Sequence, residues 1–144
     1  MSDVELAVGC FEQGFSCSQS VLATYGPRFG LERELALKVA SGLGGGIGHQ
    51  GGTCGVVTGA LMVIGLKHGA TVAGDEASQE KAFSLIGRFL ERFKDRHGSI
   101  LCRELLGYDI STPEGLQAAR DKGLFGKLCP NYVRDSAEIL EEIL

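Results

Sequence analysis

The strongest constraint on this chain is a glycine-rich stretch, Gly42 to Gly55, which reads GLGGGIGHQGGTCG. Eight of its fourteen residues are glycine. Because glycine loses the most backbone freedom on folding, such a stretch weakens regular structure. It is typical of a loop whose backbone approaches another group closely or takes positive φ. We therefore expect a tight loop packed against a phosphate, another helix or a thiol-bound centre.

Outside this loop the patterning is helical, because apolar residues recur at three- and four-residue intervals and no stretch shows convincing strand alternation. The segment 54–68 is apolar nearly all round, so we expect it to be a buried central helix. The sequence predicts a single all-α domain over residues 1–144, a helical bundle of about six to eight helices around this central helix. The predicted helices cover 3–13, 17–25, 32–41, 54–68, 76–97, 99–106 and 112–123, with a last helix opened by Cys129-Pro130.

Capping and packing residues can be assigned within these helices. Ser16, Thr53, Asp75, Ser99 and Thr112 are the candidate N-caps. The helix over 32–41 has an apolar side that we expect to pack inward, made by Leu35, Leu37, Val39 and Ala40. The longest helix carries a stripe at helical spacing, made by Ala82, Phe83, Ile86, Phe89, Leu90 and Phe93.

Composition narrows the function. The net charge is −4, so no basic field attracts nucleic acid or an anionic membrane. The longest apolar run is too short to span a bilayer, which takes about 20 residues. The acidic N-terminus has no signal-peptide layout, so we expect a cytoplasmic protein with reduced thiols. The sequence thus predicts no nucleic-acid partner and no membrane association.

Five cysteines are the main candidates for chemistry, and four of them share a location. Cys17, Cys54, Cys102 and Cys129 each fall at or near the first turn of a predicted helix, whereas Cys10 falls inside the first helix. A helix N-terminus favours a thiolate, although by roughly 0.3–1 kcal/mol only. Four converging thiolates would repel one another, so convergence implies a metal, disulfides or neutral thiols. The alternative is that each cysteine is a small buried apolar residue.

The glycine-rich stretch also supplies candidate cofactor-binding residues: Gly46, Gly48, His49 and Gly55. His49 could donate to a thiolate or replace a metal ligand. Residues 46–51 fit G-x-G-x-x-G, but no strand precedes them, so no nucleotide is expected. The chain has no C-x-x-C-H, so no haem is expected either.

Several segments together resemble a known family of redox-active proteins named for the pattern C-GCAxxG-C-C. The segments that carry the resemblance cover nearly the whole chain: 14–22, 44–48, 54–60, 102–109 and Cys129 before Tyr132-Val133. The resemblance implies that Cys17, Cys54, Cys102 and Cys129 are the four signature cysteines and that the protein has a redox role. One departure is that the chain reads Cys54-Gly55 where the pattern, aligned on Gly59, has glycine and then cysteine.

Three functions fit the sequence. The favoured one is electron transfer through a centre bound by the four cysteines, an iron–sulfur cluster or, as the alternative metal, zinc. The second is thiol–disulfide exchange without a metal. The third is a helical interaction domain whose cysteines are structural. The redox readings require a redox partner protein of unknown identity, and homo-oligomer formation stays open. No catalysed reaction with a named substrate can be derived.

Overall fold

The computed structural model describes residues 1–144 and confirms the all-α prediction, with eight helices and no strand. One 3-10 turn, Gly26–Phe29, follows the second helix. An isolated antiparallel bridge joins Thr53 to Leu101. No helix combines the length and the apolar character needed to cross a bilayer. The eight regular helices are Asp3–Glu12, Cys17–Tyr25, Arg33–Ala40, Gly55–His68, Glu76–His97, Cys102–Leu106, Pro113–Asp121 and Leu124–Ile143. The four-residue turn Gly44–Ile47 is not counted among them, because Gly45 and Gly46 have positive φ.

The helix Gly55–His68 is the central one, as its apolar sequence predicts, and its side chains contribute heavily to the main core. Its small residues allow a close approach to the second helix, Cys17–Tyr25. A Cβ at Gly59 would lie 3.0 Å from the carbonyl oxygen of Ser18 and 3.1 Å from Cβ of Val21. Any larger residue at Gly59 would therefore force the two helices apart.

Most predicted N-caps are confirmed. Ser16 forms a capping box with Gln19, and Asp75 and Thr112 each accept a backbone N–H in the first turn of their helices. Thr53 and Ser99 are not the caps, because Cys54 and Leu101 occupy the N-cap positions. Because Thr53 and Leu101 pair through this backbone bridge, both helices begin later in the sequence than the predicted caps imply.

The start of the C-terminal helix was predicted wrongly. It begins at Leu124, after Gly123 in the left-handed conformation, and Pro130 lies inside it. An interior proline costs about 3 kcal/mol or more, because it removes one helical hydrogen bond and crowds the preceding turn. The amphipathic face that the helix buries outweighs this cost. Cys129 therefore lies in a helix interior and not in a first turn.

The helix Arg33–Ala40 also departs from prediction. It buries Ala36 and Ala40, whereas Leu35 and Val39 remain 47% and 53% exposed. Ser18 Oγ donates to the carbonyl of Ala40 at 2.9 Å, which draws the small alanines against the second helix. A similar error concerns the long helix, where Phe83 is exposed and Leu85 is buried in its place.

Candidate functional site

The four signature cysteines line one cavity of about 420 Å³ at the glycine-rich loop. All five cysteines are unpaired thiols. Cys10 is buried in the first helix and does not line the cavity. The remaining walls are mostly apolar or small, and they comprise Phe11, Ser16, Ser41, Gly44, Gly45, Gly48, His49, Leu105, Leu106, Phe125 and Tyr132. The widely separated cysteines are thus gathered by the fold around one space.

Helix starts position three of the four thiols, as predicted. Cys17 is the first residue of the second helix, Cys54 is the N-cap of the central helix, and Cys102 is the first residue of its short helix. Cys129 reaches the cavity from the sixth position of the C-terminal helix. Cys17 and Cys129 are partly exposed, whereas Cys54 and Cys102 are buried.

A short backbone pairing sets Cys54 beside Cys102. The amide of Cys54 donates to the carbonyl of Ile100 at 2.7 Å, and the amide of Cys102 donates to the carbonyl of Gly52 at 2.7 Å. Arg103 adds two further donors, its amide and its Nη1, both to the carbonyl of Gly51 at 3.2 Å. Because the pairing joins segments far apart in sequence, no local pattern reveals it.

Cys17 carries the most ionisable thiol of the cavity. The Cys54 thiol donates a hydrogen bond to its sulfur, and this is the largest cause that lowers the pKa of Cys17 to about 7. Burial acts in the opposite direction. The backbone N–H groups of Gly45, Ser18 and Gly55 also donate to the sulfur and lower its pKa further. A thiolate held by several donors is the form that acts as a nucleophile or a metal ligand.

The other three thiols stay protonated at neutral pH. The pKa of Cys54 is raised, first by its hydrogen bond to Cys17 and then by burial. Burial, and next the nearby charge of Cys17, raise the pKa of Cys102 to about 11 and that of Cys129 to about 12. At neutral pH the cavity therefore holds at most one thiolate, on Cys17, beside three thiols, which avoids the repulsion of four charges.

The glycine-rich loop takes an unusual backbone conformation beside Cys17. Five consecutive residues, 45 to 49, have positive φ between 57° and 68°, including the non-glycine residues Ile47 and His49. Left-handed stretches of this length are rare for L-residues, and each non-glycine member costs of order 1–3 kcal/mol. The turn places the Gly45 N–H on Cys17 and brings the His49 ring so close that a Cβ at Gly45 would lie 2.1 Å from its Cδ2.

The predicted cofactor-binding residues fall into two groups. His49 and Gly48 line the cavity directly. Gly46 and Gly55 lie behind the cysteines, where a Cβ would be 2.7 Å from Cβ of Cys102 and 2.4 Å from Sγ of Cys17 respectively. These two glycines thus allow the thiols to approach the backbone.

Tyr132 is a cavity residue that sequence reasoning missed as a site residue. Its hydroxyl donates to the carbonyl of Leu105 at 2.8 Å, which ties the C-terminal helix to the short helix of Cys102. The ring of His97 packs edge-on against it, with ring centres 4.8 Å apart. Its position three residues after Cys129 puts both on one helix face, which is the signal that could have found it.

The arrangement of the thiols bears on metal binding. No group of three or more His, Cys, Asp or Glu side chains is spaced to hold a metal ion. Thiolates around one tetrahedral zinc ion would have to lie close together, since each Zn–S bond is about 2.3 Å. The four thiols line one cavity but are not grouped around one point.

The fold and the site together define a helical protein that gathers four thiols in one cavity. The sequence model of the family described as "Putative redox-active protein (C_GCAxxG_C_C)" matches residues 15–143. The protein therefore belongs to this family, which confirms the resemblance seen in its sequence. No curated protein and no solved structure matches the chain. The family description makes it a redox-active protein, and all four cavity cysteines lie in the matched region.

Proposed function

We propose that the protein is a thiol–disulfide redox protein in which Cys17 is the nucleophile and Cys54 is its partner. The observation that carries this proposal is that Cys17, the first residue of the second helix, and Cys54, the N-cap of the central helix, line the same cavity. Each thiol is also the largest cause of the other's pKa shift, through hydrogen bonding between them, which supports their pairing in a disulfide. Cys17 is also the partly exposed member of the pair, whereas Cys54 is buried.

The chemistry balances as a two-electron exchange. The Cys17 thiolate attacks one sulfur of a partner protein's disulfide, and the other partner sulfur leaves as a thiolate. Cys54 then gives up its proton and attacks the Cys17 sulfur, which releases the second partner sulfur. The protein gains a Cys17–Cys54 disulfide, and the partner gains two electrons and becomes a dithiol with the protons that Cys17 and Cys54 lost.

The pKa values suit these roles. A thiolate at neutral pH attacks fastest when its pKa lies near the ambient pH, and that of Cys17 is about 7. The raised pKa of Cys54 keeps it protonated as the hydrogen-bond donor until Cys17 has reacted. Five unpaired cysteines suit a reducing compartment such as the cytoplasm, where we propose that the protein works.

A second function is favoured by a different observation, the gathering of Cys102 and Cys129 with this pair around one cavity. Four cysteine thiolates are the usual ligands of an iron–sulfur cluster, which would supply one-electron transfer. Cys17, Cys54, Cys102 and Cys129 would hold it. The N–H groups directed at Cys17 would stabilise the added negative charge. Zinc is the less favoured metal, because the side chains would have to regroup around one ion.

One experiment separates the two. The protein is purified anaerobically, and its visible spectrum, iron, zinc and acid-labile sulfide are measured. A colourless protein with four or more titratable thiols, which loses two of them on mild oxidation and regains them on reduction, supports thiol–disulfide exchange. Stoichiometric iron and sulfide, lost in a Cys129→Ser variant, would contradict thiol–disulfide exchange and support the iron–sulfur cluster. Thiols that neither bind metal nor form a reversible disulfide would contradict both and support the third function, a helical interaction domain with structural cysteines.

A further inference from the structure

An apolar groove on the side of the molecule carries exposed residues that the core leaves without a partner. It has a volume of about 390 Å³ and is lined by Leu22, Leu31, Val39, Met62, Gly65 and Leu66. Of these, Val39 is 53% exposed and Leu66 is 38% exposed. Leu35, one helical turn before Val39, is 47% exposed beside it. Leu35 and Val39, with the groove that begins at Val39, form an apolar strip on the helix Arg33–Ala40.

A charged row borders this strip on the same helix. Glu34 and Lys38 are one turn apart, and both side chains are largely exposed. Their ion pair is loose, with 3.7 Å between Lys38 Nζ and Glu34 Oε1, so neither charge is committed to it. An exposed pair of this kind contributes little to stability. Both side chains are therefore free to meet charges on another molecule.

The order of these charges selects one kind of partner. When two copies of a helix pack antiparallel about a two-fold axis, the same flank of each helix faces its mate in reverse order. Glu34 then lies opposite Lys38 of the second copy, and Lys38 lies opposite its Glu34. Leu35 and Val39 of each copy meet between these two charge pairs and cover the groove. The strip is thus complementary to itself in both charge and apolar character.

We propose that the protein forms a two-fold homodimer through the helix Arg33–Ala40, with Leu35 and Val39 at its centre. The helix is short, so the interface is small and dissociates in the micromolar range. The thiol cavity lies elsewhere on the chain's surface, lined by other residues. The dimer is therefore independent of which redox chemistry the cavity performs.

Sedimentation velocity on the full chain, from about 1 µM to about 200 µM, spans the range in which such an interface dissociates. We expect a reversible monomer–dimer equilibrium in the wild type. Leu35→Glu and Val39→Glu each place two acidic groups, one from each copy, at the centre of the interface, and each should weaken dimerisation by at least about tenfold. The matched control is Leu6→Glu, because Leu6 is also 47% exposed but lies outside the strip. Circular dichroism checks that each variant is folded.

Charge reversal tests the antiparallel order itself. Glu34→Lys and Lys38→Glu each create like charges across the two-fold axis and should each weaken the dimer, whereas the double variant should restore it. A monomeric wild type at all these concentrations would overturn the proposal. So would a dimer that resists Leu35→Glu, or one that the double charge reversal fails to restore.

Discussion

The sulfur of Cys17 occupies the space where residue 55 would carry a side chain. An ideal Cβ at Gly55 would lie 2.4 Å from Cys17 Sγ and 2.9 Å from the backbone nitrogen of Ser18. This contact joins the start of the second helix to the start of the central helix. It also lets the Gly55 N–H donate to the sulfur, which helps lower the Cys17 pKa.

Gly55→Ala should therefore damage both stability and thiol chemistry. The added methyl must displace Cys17 or the backbone at Ser18, and overpacking of this kind costs about 1–3 kcal/mol. Urea unfolding measures the loss. The control is Gly87→Ala, which meets nothing within 4 Å inside a helix and should gain up to about 1 kcal/mol. Equal stabilities for the two variants would contradict the close contact.

The second prediction concerns the reactivity of Cys17. Alkylation by iodoacetamide, followed by mass spectrometry of the Cys17 peptide, should titrate with a pKa of about 7. Cys129 is the internal control, since it is also partly exposed but its pKa is raised to about 12. It should remain unreactive below pH 9.

Removing the donor should shift this titration upward. Cys54→Ala deletes the hydrogen bond that most lowers the Cys17 pKa, and losing a bond to a charged group is worth about one pKa unit. Cys10→Ala should leave the titration unchanged, because Cys10 lies outside the cavity. A Cys17 pKa that is unchanged in Cys54→Ala would contradict the claim that Cys54 stabilises the Cys17 thiolate.

Ile47 is the third target, because a β-branched residue sits there at a φ of 68°. Glycine adopts this conformation freely, whereas an L-residue pays about 1–2 kcal/mol for it. Ile47 is also 48% exposed, so its side chain buries little apolar surface. Ile47→Gly should therefore stabilise the protein by about 0.5–1 kcal/mol, measured by urea unfolding. A destabilised variant would show that the Ile47 side chain has a packing role.

The fourth prediction is the pH dependence of stability under reducing conditions. The pKa of Cys17 is about 7 in the fold against an ordinary value of 9.0, so between these values the unfolded chain binds more protons at Cys17. This contribution makes the free energy of unfolding rise with pH from about 7 to about 9. Above that range the pKa values of Cys102 and Cys129, raised to about 11 and about 12, reverse the sign. Stability should then fall as the unfolded thiols ionise.

Cys17→Ser isolates the first part of this profile. The variant should lose the rise between pH 7 and pH 9 and keep the fall at higher pH. A wild-type stability that declines steadily from pH 7 would mean that Cys17 is not ionised in the folded protein.

Local patterns predicted much of the helical fold and three of the four thiol positions. The Ser16 capping box and the apolar run after Cys54 determine helix starts from neighbouring residues alone. The helix start at Leu124 could not be found this way. A proline ordinarily stands in the first turn of a helix, and only tertiary packing accommodates Pro130 in a helix interior.

Two further features lie beyond local patterns for a related reason. Periodicity identifies Leu35 and Val39 as apolar. It does not predict that Ala36 and Ala40 are buried in their place. Likewise, the pairing of Gly52 with Cys102 joins residues about fifty positions apart and sets Cys54 beside Cys102. The sequence predicted that the thiols could converge, and this long-range backbone pairing sets the position of Cys102 relative to Cys54.

Disulfide mapping after mild oxidation tests the central claim most directly. The reduced, metal-free protein is treated with a limiting amount of a small disulfide, digested without reduction and analysed by mass spectrometry, with Cys17→Ser and Cys54→Ser as controls. We predict that a reversible Cys17–Cys54 disulfide forms before any other pair and is absent in both controls. A first disulfide that joins any other two cysteines would contradict the assignment of Cys17 and Cys54 as the redox pair.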